Sequence, residues 1–246
     1  MNTSIDPPIL FIHGAWHGSW CWEEHFVEVF TKAGYDCHTL DLPMHDKPGE
    51  VKGINKLSLS DYVTAVKHKV DEIGRPSILI GHSMGGIILQ KYLEQYTCEK
   101  AILLAPAPPH GVLGTTIKFL AKPYAWWPLL SLNLYGLVNT PEKANWAFFS
   151  NKISDVALQH YSKKMCSESY LAFLQMLMPR VKLVHHRSTP MLVMAAELDN
   201  IFSISDNERT AKKYNAELII VNDIGHDMML DVGHERVSEI ILKWLK

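Results

Sequence analysis

The chain opens on hydrophobic runs that change period. Ile9, Leu10, Phe11 and Ile12 form a short continuous apolar run, the pattern of a buried strand. Trp22, Phe26, Val29 or Phe30, and Ala33 then recur at helical spacing, with Gly34 as a stop. Residues 35–42 read as a second strand closed by Pro43, and the polar residues 44–56 as a loop. Ser60 is expected to cap a helix that carries Tyr62, Val63, Val66, Val70 and Ile73 on one face and stops at Gly74 and Pro76. Residues 78–80 give a third strand, 87–93 have helical composition, and 101–105 give a fourth strand. Strands alternating with helical patterns predict a parallel sheet covered on both faces.

The rhythm breaks after residue 105. Residues 106–188 hold short helical segments rich in bulky apolar side chains, including Phe119, Trp126, Trp127, Leu129, Trp146, Phe149, Phe173 and Met176. Strands resume at 191–195 and 218–221, and residues 235–245 make a closing helix with Val237, Ile240, Ile241 and Trp244 inward. The expected organisation is a core of residues 1–105 and 189–246 with residues 106–188 inserted as a helical cap over the carboxyl edge of the sheet. The alternative is that these are further core helices.

Composition narrows the class. At 246 residues, 47% hydrophobic and 20% charged, the chain suits one globular domain. A net charge of −2 supplies no basic footprint for nucleic acid and no polybasic membrane patch. No apolar run approaches the roughly 18 residues of a membrane span. The N-terminus lacks the basic region of a signal peptide, so a cytoplasmic location is expected. Cys21, Cys37, Cys98 and Cys166 are scattered with no CxxC pair, and reduced thiols are expected. Oligomeric state is not legible.

The chemistry centres on residues 77–86. An apolar strand runs into Gly81-His82-Ser83-Met84-Gly85 and then into a helix, the context of a nucleophile elbow. Ser83 is expected on a strained turn at the carboxyl end of its strand, with the Met84 N–H facing a developing oxyanion. A serine hydroxyl needs a base, and that base needs an orienting acid, in the chain order Ser, acid, His. Asp199 and His226 both fall in loops after strands and meet that order. Glu197 is the rival acid, and Asp223 and Asp227 lie too near His226 along its own loop to reach behind the ring easily. His82 is expected to point into the elbow packing. His13 and His17 read as structural or loop-positioning rather than as zinc ligands, and His185 and His186 as exposed. No metal or cofactor is expected.

These motifs together resemble the α/β-hydrolase superfamily over the whole chain outside the cap. The segment His13-Gly14-Ala15-Trp16-His17-Gly18-Ser19-Trp20-Cys21-Trp22 is similar to that of plant methylesterases and hydroxynitrile lyases. The resemblance implies an α/β-hydrolase fold with a mostly parallel sheet of about six strands, and an oxyanion hole from the N–H groups of Ala15 and Met84. A Gly-rich turn at Gly14 agrees with that role, because it lets the Ala15 amide approach a reacting carbonyl. Two departures touch the acid: Ala195 and Ala196 stand where glycine is usual before it, and no proline follows in Asn200-Ile201-Phe202-Ser203.

The expectation is a serine hydrolase of carboxylic esters or related acyl bonds with Ser83 as nucleophile, His226 as base and Asp199 as acid. Trp16, Trp126, Trp146 and Phe173 are the expected walls of an apolar substrate pocket. Other uses of the scaffold are a small-ligand receptor, a cofactor-free dioxygenase and a hydroxynitrile-lyase-like enzyme. The lyases carry threonine where Gly14 stands and lysine directly after the catalytic histidine. Here that second place is Asp227, which supplies no positive charge for a departing cyanide.

Overall fold

The computed structural model describes residues 6–182 and 189–246. His185 and His186 lie outside the described residues, as does the end of the 106–188 segment. Six strands, β1 (Ile9–Ile12), β2 (Cys37–Leu40), β3 (Ile78–His82), β4 (Lys100–Leu104), β5 (Met191–Ala196) and β6 (Glu217–Val221), make one sheet. Their order is β2-β1-β3-β4-β5-β6, and every pairing is parallel. The continuous apolar runs of β1, β3 and β5 are buried along their full length, as strands covered on both faces must be. The outer strands β2 and β6 are only partly covered.

Chain order places the site. The chain leaves β1 for the edge strand β2, then returns across β1 to β3. The loops after β1 and β3 therefore diverge, and parallel sheets bind ligands in the crevice that opens at such a reversal. In the β1–β3 register Ile12 pairs with Gly81, so the loop beginning at His13 leaves the sheet beside the loop carrying Ser83.

The helical reading needs several corrections. The continuous helix expected before Gly34 is two short ones, α1 (Trp20–Glu23) and α2 (Phe26–Lys32), because His25 between them has φ −141°. Helix α3 (Leu59–Ile73) is capped by Ser58 rather than Ser60. Ser58 and Asp61 form a reciprocal capping box, which leaves Ser60 inside the first turn. Strand β2 is shorter than residues 35–42, since the Tyr35 N–H still donates to the Phe30 carbonyl at the end of α2. Helix α4 (Met84–Tyr92) follows the elbow.

Between β4 and β5 come α5 (Leu113–Leu120), α6 (Trp126–Leu130), α7 (Pro141–Phe148), α8 (Asp155–Lys164) and α9 (Tyr170–Leu177). Helix α10 (Ile204–Tyr214) joins β5 to β6, and α11 (His234–Leu245) closes the chain with Val237 and Ile241 buried and Ile240 and Trp244 half-buried. All four cysteines are free. Among the described residues no helix is long and apolar enough to cross a membrane.

Candidate active site

Ser83 sits where β3 ends and α4 begins, with φ 52° and ψ −115°. An L-residue holds that conformation only when its surroundings impose it. Here they do: the Ser83 N–H donates to the Leu104 carbonyl at 3.0 Å, and its carbonyl accepts from Ala107 N and Gly86 N, each at 2.9 Å. Close packing explains the flanking glycine. A Cβ on Gly85 would overlap the Ile12 and His13 carbonyl oxygens, so only glycine lets α4 start against the end of β1. Gly14 answers from the other side, where a Cβ would meet His82 Nδ1 at 2.9 Å and Ser83 Cβ at 3.0 Å. The loop after β1 is thereby pressed onto the elbow.

His226 lies in the loop after β6. Its Nδ1 stands 2.7 Å from Asp199 Oδ2, and both side chains are 1% exposed. Asp199 Oδ1 accepts from the N–H groups of Ile201 (2.6 Å) and Phe202 (2.9 Å), which fixes the carboxylate. A carboxylate only accepts, so Nδ1 carries the proton and Nε2 is left as the basic nitrogen. Ser83 Oγ makes no hydrogen bond to any described residue. Such contacts are often loose before substrate arrives. The other carboxylates turn away. Glu197 is exposed and accepts from the Asp223 N–H at 2.8 Å, and Asp223 pairs with Lys152 at the surface. The N–H of Ala15 has no partner among the described residues, and that of Met84, first in α4, has none within its helix.

The remaining histidines have assignable work. His82 points into the elbow packing, its Nε2–H donating to the His226 carbonyl at 3.0 Å. Burial, then the neighbouring His226, pushes its pKa down to about 3, so the ring is neutral. His13 Nε2 accepts from the Leu42 N–H at 2.9 Å and its Nδ1–H donates to the Gly14 carbonyl, tying the β1 loop to the end of β2. Burial and His45 hold its pKa well down. His82, His226 and Asp227 come within 4.8 Å of one another, but His82 Nε2 and His226 Nδ1 are already committed to protein partners, as a hydrogen-bond network requires.

Above Ser83 lies a cavity of about 570 Å³, counting the space open at its mouth. Ala15, Trp16, Ser83 and Met84 form its floor. Thr115, Thr116 and Phe119 of α5, Leu129 of α6, and Phe173 and Met176 of α9 form walls, with Ile201 and Phe202 beside Asp199. Among the described residues no titratable side chain lines it. The two threonine hydroxyls are spent on backbone carbonyls of Ile201 and Val112. Of the four aromatic residues expected to form the walls, Trp16 and Phe173 line this cavity and Trp126 and Trp146 do not. Trp126 is 56% exposed, and its indole N–H donates to the Leu120 carbonyl. Trp146 packs edge-on behind Phe119, 5.3 Å between ring centres, with the Lys122 ammonium over its outer face. Phe119 and Phe202 were missed. Their only sequence signal was being apolar near the right elements.

The comparisons with known proteins give the family and the fold. Residues 9–240 match the model of the Alpha/beta hydrolase family. The chain belongs to that family. Among curated proteins, it is 31% identical over 108 residues to the "Probable esterase PIR7A" of Oryza sativa subsp. indica, covering 41% of this chain and 39% of that one. It is 31% identical over 112 residues to the carbendazim hydrolyzing esterase of Nocardioides sp. (strain SG-4G), covering 42% and 43%. The chain thus aligns with only about two-fifths of the length of these relatives. Among solved structures, a methylesterase from Arabidopsis superposes with TM-score 0.73 at 18% identity, over 97% of this chain and 98% of that one. A bromoperoxidase from Bacillus anthracis superposes with TM-score 0.76 at 17% identity, over 97% and 91%. At such identity these two establish the hydrolase fold alone.

Proposed function

We propose that the protein is a serine hydrolase that cleaves a carboxylic ester of a small, largely apolar substrate through an acyl-enzyme. One pairing of observations supports the reading: a buried His226–Asp199 hydrogen bond of 2.7 Å in the loops after β6 and β5, and a strained Ser83 that lines a cavity with no titratable group among its described lining residues. The esterase relatives support the same bond class. Ser83 Oγ attacks the ester carbonyl carbon while its proton passes to His226 Nε2. The carbonyl oxygen becomes an oxyanion that accepts from the N–H groups of Ala15 and Met84. Collapse breaks the bond to the alcohol, which leaves with the proton from His226. Water then attacks the acyl group by the same route, and the carboxylic acid departs.

The same reading makes residues 106–188 a lid. Its helices supply most of the cavity wall, and a drier site strengthens the oxyanion contacts. The wall chemistry suits an aliphatic or aromatic acyl or alcohol group and offers nothing to a sugar or phosphate.

The decisive experiment compares Ser83→Ala, Asp199→Asn and Glu197→Gln on a panel of acyl esters, with fluorophosphonate labelling of each. Ser83→Ala should lose labelling and several orders of magnitude in turnover, down to the roughly 10³- to 10⁴-fold residual over water typical of such sites. Asp199→Asn should also lose several orders of magnitude, through the wrong imidazole tautomer. Glu197→Gln should change kcat by less than about tenfold, as a solvated carboxylate would. Undiminished labelling of Ser83→Ala would remove Ser83 from the mechanism, and the opposite ranking of the acids would move that role to Glu197.

A further inference from the structure

Asp227 follows His226 directly, and its carboxylate is fully buried and faces His17. It stands 2.9 Å from His17 Nε2 and 3.7 Å from His82 Nε2. The approach to His17 is bent off the N–H axis, and neither carboxylate oxygen has a well-aligned donor among the described residues. The carboxylate does not shape the loop either. That work falls to Asp231, which accepts from Gly225 N (2.6 Å), Ser150 N (2.9 Å) and Val232 N (2.9 Å). A buried carboxylate with so little hydrogen bonding is costly unless an opposite charge faces it.

His17 can supply that charge. Its Nδ1 lies 2.8 Å from the Ala15 carbonyl, which only accepts, so Nδ1 carries a proton. A ring that donates there and also faces a carboxylate with Nε2 does both only as an imidazolium. Among the described residues no other side chain supplies that charge. His82 is neutral, His226 donates its Nδ1–H to Asp199, and His45 acts on His17 from farther off beside Glu168. The Cys21 thiol near Asp227 is held protonated by burial, then by Asp227 and Asp41. The Trp20 and Phe148 rings wall His17 at 5.3 and 5.1 Å.

We propose that His17 and Asp227 form a buried imidazolium–carboxylate pair that positions the Ala15 N–H and His226 around Ser83, making both positioning residues for the hydrolysis. The inference rests on the serine-hydrolase reading above. The pair joins the loop after β1 to the loop after β6, and the His82–His226 bond joins the second loop to the elbow. It also cancels a carboxylate that would otherwise oppose the oxyanion in a site of low dielectric. The titration directions agree with the geometry. Burial depresses His17, but the charge and hydrogen bond of Asp227 outweigh it, and its pKa is raised. Burial raises Asp227, but His17 outweighs it, and its pKa is lowered. The pair is therefore expected to discharge as pH rises through the raised pKa of His17.

The test uses the substrate-free full chain with ¹⁵N-labelled histidine, and a short neutral ester for kinetics. NMR should show both His17 nitrogens protonated at pH 7, with proton loss on the alkaline side of its ordinary value. The parent's kcat should fall over that same pH range. Asp227→Asn and His17→Gln should lose about 10²-fold in kcat with KM little changed, as for a small misplacement of reacting groups, and His17→Gln should lose the alkaline limb. A neutral His17 at pH 7 would overturn the pair. Folded variants that keep the parent's kcat and pH profile would reduce it to a structural contact. Should the variants fail to fold, an alkaline limb in the parent that does not coincide with the His17 titration would overturn the positioning role. A parent inert towards every ester would sink the hydrolase reading and the positioning role together, while the NMR titration would still report on the pair.

Discussion

Phe119 shows what a single side chain decides in this cavity. It separates the cavity from Trp146, so truncating it opens the wall onto a second aromatic rather than onto solvent. Phe119→Ala and Phe173→Ala should shift acyl-chain preference toward bulkier groups, read as kcat/KM for short and long esters. Trp126→Ala should leave that profile unchanged, because its ring lies outside the cavity and is more than half exposed. If Trp126→Ala alters chain-length preference as much as Phe119→Ala, the cavity described above is not the acyl site. The contrast also marks what the sequence could tell. Ser83, Asp199 and His226 were legible because each follows a strand, and every parallel strand delivers its next residues to one edge. The wall was not legible in the same way. Trp126 and Trp146 were chosen for size, but size does not say which side of a short helix faces inward. Asp227 lies too close to His226 in sequence to signal a role behind that ring, but a neighbour in a tight loop can serve a different partner across the core.

At the scale of elements, the strands declared themselves and the helices did so only when their buried faces were apolar. Helix α10 is the instructive failure. It buries Asn207, Thr210, Ala211 and Tyr214, a polar and small face that carries no hydrophobic period. Its local signal is instead the capping box of Ser203 with Asp206, the same device that starts α3 at Ser58. Ser58→Ala should therefore cost about 1 kcal/mol, whereas Ser60→Ala should be nearly neutral or slightly stabilising. Two glycines give the sharper comparison. Gly114 lies inside α5 with open space where a Cβ would stand, so Gly114→Ala should stabilise by about 0.5–1 kcal/mol. Gly85→Ala would drive a methyl into the Ile12 carbonyl and force α4 away from β1, costing roughly 1–3 kcal/mol or more and displacing Ser83. Melting temperatures of the two variants should move in opposite directions. A Gly85→Ala protein with parental stability and turnover would refute the close-packing account of the elbow.

Across the whole molecule, residues 165–169 act as a strap that ties the segment between β4 and β5 to the loops after β1 and β2 and to α3. Met165 and Ser167 exchange backbone hydrogen bonds with Gly49 at 2.8 and 2.9 Å, and the Cys166 N–H donates to the Trp16 carbonyl at 2.9 Å. Glu168 is the buried anchor, accepting from Tyr62 Oη–H (2.8 Å) and the Ser169 N–H (2.6 Å) and facing His45 Nε2 at 3.0 Å. His45 Nδ1 lies 3.0 Å from the Pro43 carbonyl, so this ring too donates from both nitrogens and is charged. Burial depresses His45, but the charge and hydrogen bond of Glu168 outweigh it, and its pKa is raised. A raised histidine contributes stability that is fully present below its unfolded value near 6.5 and is lost as pH rises through the folded value. Glu168→Gln keeps the size and the acceptor for Tyr62 but leaves His45 without a counter-charge. Removing one partner of a buried pair costs roughly 3–5 kcal/mol. That loss should be largest at pH 6, below the ordinary histidine value, and should shrink as pH rises through the raised value of His45, where the parent loses the contribution as well. Urea unfolding of both proteins at pH 6 and pH 9 measures it. A gap that stays constant between pH 6 and pH 9 would mean that His45 is neutral throughout, and that the strap is held by the Tyr62 and Ser169 hydrogen bonds rather than by charge.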